Sequence, residues 1–167
     1  MKLKYVIIGV IVIVIGICCY LLFFNEDKIK VEELEASNIK SFYLGYDAGF
    51  MMNSNTSYKI SLENDKYIAI IKPYGVSDDE ELFTEVSSKV MEKISDVLKK
   101  YKVNKWDGFN KSDNNVMDGN GFSLNVQLLD GISINASGYM MWPNNYSEVK
   151  NEINEIFMEV YNKGKEN

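Results

Sequence analysis

The sequence contains no histidine and no arginine; its 18 basic residues are all lysine, set against 24 acidic residues for a net charge of −6. Without imidazole there is no Ser-His-Asp or Cys-His catalysis, no histidine metal ligand and no histidine pH switch. Without guanidinium there is no bidentate clamp for a carboxylate or phosphate. The two cysteines, Cys18 and Cys19, are adjacent, so a disulfide framework is excluded and redox usage does not set the compartment. A chain this acidic also lacks the electrostatic footprint of a nucleic-acid binder. Nothing in the composition points to a cofactor.

What the sequence does have is one long apolar run. Tyr5–Phe24, YVIIGVIVIVIGICCYLLFF, carries no charge, and a helix of about 20 such residues matches a hydrocarbon core of about 30 Å. This predicts a single transmembrane helix after a short tail, residues 1–4. A cleaved signal peptide fits less well, since its apolar region is about 7–15 residues long and ends in a small-x-small site. Lys2 and Lys4 precede the run and Lys28 and Lys30 follow it; the first pair lies closer to the apolar edge, which favours a cytoplasmic N-terminus. Setting aside Lys2 and Lys4 leaves 16 lysines against 24 acidic residues, a net −8 on the rest of the chain. That charge suits a solvated domain repelled by anionic lipid, and the cytoplasmic N-terminus predicts that it lies on the outer side of the cell membrane. Residues 25–38 are highly charged with little apolar material and predict a stalk.

Residues 39–163 carry alternating and helical patterns that predict an α+β domain, an antiparallel sheet with two amphipathic helices packed on one face, followed by a tail from 164 to 167. Ile39–Asp47 alternates around Phe42, Leu44 and Tyr46 as a first strand. Around Asn64-Asp65, a two-residue turn sets Leu62 opposite Tyr67, Ile60 opposite Ala69 and Tyr58 opposite Ile71, with Glu63 and Lys66 beside the turn. Ile68 and Ile70 fall on the second face, which predicts a central strand covered in part on both sides. Leu82–Val86 reads as a short strand, with a helix from about Ser88 through the stripe Val90, Ile94, Val97, Leu98 and Tyr101. Around Leu129-Asp130-Gly131, a two-residue turn would oppose apolar to polar along the whole ladder. A three-residue loop with a left-handed Gly131 instead pairs Leu128 with Ile132, Val126 with Ile134 and Leu124 with Ala136, which predicts a bulged hairpin. Asn145 and Glu148 have capping-box spacing at the start of a last amphipathic helix.

Two regions could carry chemistry. The bulged register gathers Ser123, Asn125, Gln127, Ser133, Asn135 and Ser137 on the sheet's second face, a neutral surface of hydroxyls and amides with Tyr139 and Trp142 expected nearby as stacking platforms. Such a surface suits a glycan or an extended peptide, although antiparallel sheets commonly leave one face to solvent. The loop from Trp106 to Phe122 supplies Asp107, Asp113 and Asp118, hard oxygen donors of the kind calcium takes. The EF-hand pattern fails there, since Met117, Asp118 and Leu124 stand where an acid or amide, glycine and glutamate belong. A turn-rich loop pinned by Trp106 and Phe109 accounts for it better. The same aspartates could form a glycosidase pair, though without a recognisable cleft.

The blocks WDGF at Trp106, KSDNNVMDGNGFSL at Lys111, DGISINASGYM at Asp130 and WPNNYSEV at Trp142 resemble an uncharacterised domain of bacterial envelope proteins that carry an N-terminal anchor or lipoprotein signal. The resemblance spans about Tyr58 to Tyr161. It implies an extracytoplasmic globular module and supplies no activity, substrate or catalytic residue. The sequence thus leads to a single-pass membrane protein that exposes a non-enzymatic binding module to an envelope protein or glycan. A small hydrolase using loop aspartates and a calcium-stabilised module are the alternatives.

Overall fold

The computed structural model describes residues 29–47, 55–113 and 115–166. The expected transmembrane helix, Tyr5–Phe24, lies outside the described residues, and no helix within them is long and apolar enough to cross a membrane. Seven strands, β1 (Ile39–Asp47), β2 (Asn55–Glu63), β3 (Lys66–Lys72), β4 (Leu82–Val86), β5 (Asn110–Ser112), β6 (Gly121–Leu128) and β7 (Ser133–Tyr139), form one sheet in the order β4-β3-β2-β1-β6-β7-β5. Every neighbouring pair is antiparallel except β5 and β7. Helices α1 (Ser88–Lys100) and α2 (Tyr146–Lys165) cover one face. This is the expected α+β class.

Both hairpins form in the expected registers. Leu62 pairs with Tyr67, Ile60 with Ala69 and Tyr58 with Ile71, and the turn residues Asn64 and Asp65 both take positive φ, 49° and 62°, the geometry that matches strand twist. In the β6–β7 hairpin Val126 faces Ile134 and Leu124 faces Ala136. Gly131, at φ +90°, donates its N–H to Leu128 O at 3.1 Å, and the Asp130 carboxylate accepts from Ile132 N at 2.9 Å. This bulge is what keeps all apolar residues of β6 and β7 on the helix side.

Four expectations are corrected. β3 is not central but second from the edge, with Ile68 and Ile70 half-buried on a face over which the described residues place no helix. The expected stalk belongs to the domain from Ile29 onward. Ile29 and Leu34 are fully buried, Ser95 Oγ donates to Leu34 O at 2.6 Å and Asn104 Nδ2 to Ile29 O at 3.0 Å; a short 3-10 turn, Val31–Glu33, spaces the two apolar residues so that both reach the core. The expected tail at 164 is helix through Lys165, because Gly164 lets α2 lie against Leu82, where a Cβ would collide with the leucine methyls. Asn145 makes no side-chain cap, since it takes the left-handed conformation, φ 62°, that asparagine tolerates.

Aromatic packing seats α2 on the sheet. Phe157 of α2 stacks on Tyr58 at 4.8 Å and 6° between planes, and on Phe42 at 6.2 Å and 19°; all three are fully buried. Polar pairs at the rim join α1 to α2. Glu159 accepts from Lys93 and Lys163, each at 2.7 Å, and Glu152 accepts from Lys100 and the Tyr101 hydroxyl, each at 2.6 Å. Hydrogen bonds from Lys163 and then Lys93 hold the Glu159 carboxyl down from 4.5 to about 2. Its contribution is therefore complete above 4.5 and disappears as pH falls through about 2. It is small, as for other solvent-exposed pairs.

Truncation of Phe157 to alanine is expected to cost about 3–5 kcal/mol, read as a lower urea midpoint at unchanged slope, with Phe157→Leu costing less.

Candidate functional site

Alternation along the strands places Ser123, Asn125 and Gln127 of β6 and Ser133, Asn135, Ser137 and Tyr139 of β7 on the face turned away from the helices, beside Tyr43 of β1. The structure thus brings together seven of the eight expected residues. Some of their polar groups bond to one another and others to the neighbouring loop. Asn125 Nδ2 donates to Asn135 Oδ1 at 2.8 Å, Asn135 Nδ2 to Ser133 Oγ at 2.9 Å, and Ser137 Oγ to Asn110 Oδ1 at 3.2 Å. Tyr139 turns its hydroxyl to Met117 O at 3.0 Å. The result is a hydrogen-bonded ladder over a shallow, open depression.

Trp142, the eighth, is not there. After β7 the chain turns at Met140, φ 54°, whose N–H donates to Asn120 O at 2.9 Å, and it crosses the sheet's end toward the helices. Gly138 makes the turn feasible, because a Cβ there would collide with Met141 O and the Phe122 ring. Trp142 consequently lies on the helix side, stacked on Tyr146 at 4.7 Å and 19° and 5.7 Å from Phe122.

The loop residues have structural partners. Trp106 is buried, 3% exposed, with its indole N–H donated to Asn144 O at 3.2 Å. Asp107 Oδ1 accepts from Asn135 N at 3.0 Å, while Gly108 N donates to Asn135 O at 2.9 Å and Ser137 N to Phe109 O at 2.8 Å. These bonds tie the loop to the outer edge of β7. Asp113 accepts from Asn115 N and Nδ2 at 3.0 and 3.1 Å in a local turn, and Asp118 is exposed. Among the described residues no three or more acidic or cysteine side chains converge in the manner of a metal site.

The relocated Trp142 forms one wall of a cleft of about 620 Å³ at the end of the sheet, lined also by Tyr46, Asp47, Tyr74, Asn120, Tyr146, Ser147, Lys150 and Asn151. Trp142 is 39% and Tyr74 58% exposed. The walls are braced from behind. Tyr46 and Tyr58 both donate their hydroxyls to Asn154 Oδ1, at 3.3 and 2.6 Å, and Lys150 Nζ lies 4.5 Å from the centre of the Tyr46 ring. Burial, foremost, pushes the Tyr146 and Tyr58 phenols well above the ordinary tyrosine range, so both stay neutral hydrogen-bonding groups at physiological pH. The cleft therefore offers flat aromatic surface, amides, a hydroxyl and one charge of each sign. Such a set can stack against an apolar ring face and hydrogen-bond the hydroxyls around it.

Sequence reasoning misses this cleft because Tyr46 reads as part of the first strand's apolar alternation and Tyr146 as the start of the last helix's apolar face. One signal was present: Tyr146 with Lys150, and Ser147 with Asn151, are i, i+4 pairs on neighbouring positions of one helix face.

Comparison of the chain with protein-family models and with curated proteins finds no match.

Replacing Asp107 by alanine is expected to lower stability by about 1 kcal/mol through loss of its bond to the β7 backbone, with Asp107→Asn retaining part of it. Thermal melting of the two variants checks this.

Proposed function

We propose that the chain is a single-pass membrane protein whose Tyr5–Phe24 helix anchors the α+β domain outside the membrane, and that the domain binds an envelope glycan in the cleft beside Trp142. The anchor rests on the uncharged length of that segment and the outward orientation on its closely placed leading lysines. The observation that carries the binding reading is a half-exposed indole held flat by Tyr146 in a cleft edged with Asn120 and Asn151. A sugar presents one apolar ring face and a rim of hydroxyls, which is the complement of that surface. Because the aromatic walls are already packed, little side-chain freedom is lost on binding. Asp107 and Asp113 each spend one carboxylate oxygen on a backbone N–H, and the loop aspartates do not converge with other acidic side chains among the described residues, which favours binding over hydrolysis or a calcium site.

The protein has only two tryptophans, and Trp106 is buried, so fluorescence changes on ligand addition report on Trp142. Titration of the full chain in detergent with soluble envelope oligosaccharides is expected to shift the emission. Trp142→Ala should weaken binding at least about tenfold, or 1.4 kcal/mol, and Asn151→Ala should weaken it less. Absence of any shift across neutral and N-acetylated oligomers, or affinity indifferent to Trp142, would overturn the glycan reading.

The orientation has its own check. An epitope fused after Asn167 should be reached by antibody on intact spheroplasts; access only after permeabilisation would place the domain on the inner side.

A further inference from the structure

The two edges of the sheet are built differently. At one end β5 has only three residues, includes Lys111 and runs into a turn-rich loop, so it offers little backbone to a neighbour. At the other end β4 has five residues, LFTEV, with no proline and no register shift against β3. The described residues place no strand on its outer edge. Phe83 stands 67% exposed there, with half-buried Ile70 as its cross-strand neighbour on the same open face. An uncovered edge beside an exposed aromatic is a template for strand addition.

We propose that β4 is the edge through which two copies of this chain associate, pairing antiparallel about a two-fold axis at Thr84 to double the seven-stranded sheet. The sequence of the edge fits its own reverse. Thr84 meets Thr84, Leu82 meets Val86 on the helix side, and Phe83 meets Glu85 on the open side. The two Phe83 rings become diagonal neighbours across the axis, within reach of aromatic side chains.

Charge supplies a second, independent match. Exposed Asp79, Glu80 and Glu81 precede β4, whereas α1 begins just after it with Lys89 and with no acidic residue in its first turn. The N-cap Ser87 makes no side-chain bond to the helix backbone either. Antiparallel pairing carries the acidic run of one copy to the start of α1 in the other, where negative charge is favoured by the open N–H groups. Parallel pairing would instead set acid against acid. The geometry also suits an anchored protein: a two-fold axis normal to the sheet keeps both helix layers, and with them both Ile29 ends, on the same side.

The experiment uses the full chain in detergent with Cys18→Ser and Cys19→Ser. Thr84→Cys should form a disulfide-linked dimer under mild oxidation, since directly opposed strand residues have Cα atoms about 4.5–5.5 Å apart, within disulfide range. Lys111→Cys on the far edge should give no disulfide-linked dimer. By sedimentation the parent should have twice the chain mass. Phe83→Glu, which gathers four carboxylates at the axis, should halve that mass while leaving the circular dichroism spectrum unchanged, as expected for so exposed a residue. A monomeric parent, equal crosslinking at 84 and 111, or a Phe83→Glu protein that stays dimeric would each overturn the proposal, the last by assigning association to another segment.

Discussion

Phe157 sits between Tyr58 and Phe42, and through that contact a helix at the end of the chain covers strands formed near its beginning. The constraint is directional as well as apolar. Near-parallel rings fix the roll of α2 about its axis, and the roll decides what its other residues face. With Phe157 inward, Ile153 and Val149 follow into the core, Asn154 meets the Tyr46 and Tyr58 hydroxyls, and Tyr146 at the helix start underlies Trp142. The cleft is thus a consequence of how the core is packed. A carbohydrate-sized surface is held by side chains whose rotamers are set elsewhere, the arrangement by which rigid scaffolds place recognition groups accurately.

Much of the fold was legible where local chemistry and pairing agree. The turn at Asn64-Asp65 and the bulge at Gly131 each combine residues suited to positive φ with a register that matches apolar to apolar, so two kinds of information select the same hairpin. The boundary between β4 and α1 was legible because the helical stripe closes without Leu82 or Phe83. Strand order was not, since the β1–β6 pairing joins residues 74 to 89 positions apart and leaves no short-range trace. That is why β3, apolar on both faces, was expected at the centre.

The candidate site was half legible. Alternation sufficed to gather the amides and hydroxyls of β6 and β7, but not to show that Asn125, Asn135 and Ser133 bond to one another while Ser137 and Tyr139 turn to the loop. Trp142 was assigned to the wrong side of the sheet because nothing at Met140 announces a left-handed residue: methionine there is held by the backbone bond to Asn120 rather than by its own preference. The aspartates of the loop drew attention as oxygen donors, whereas the coordinates show carboxylates spent on Asn135 N and Asn115 N. In each case the missing information was a tertiary partner, which spacing along the chain does not encode.

The burial of Ile29 leaves only residues 25–28 between the end of the uncharged run and the first anchored side chain of the domain. Four residues span at most about 14 Å. On the proposed anchoring, the domain would rest almost against the lipid headgroups. Its reach from the membrane would be a thin layer rather than a wide volume. Its ligand would then be a component fixed close to the membrane plane, and pairing with a like-tethered neighbour would be a search in two dimensions, in which even a weak edge contact meets a high local concentration.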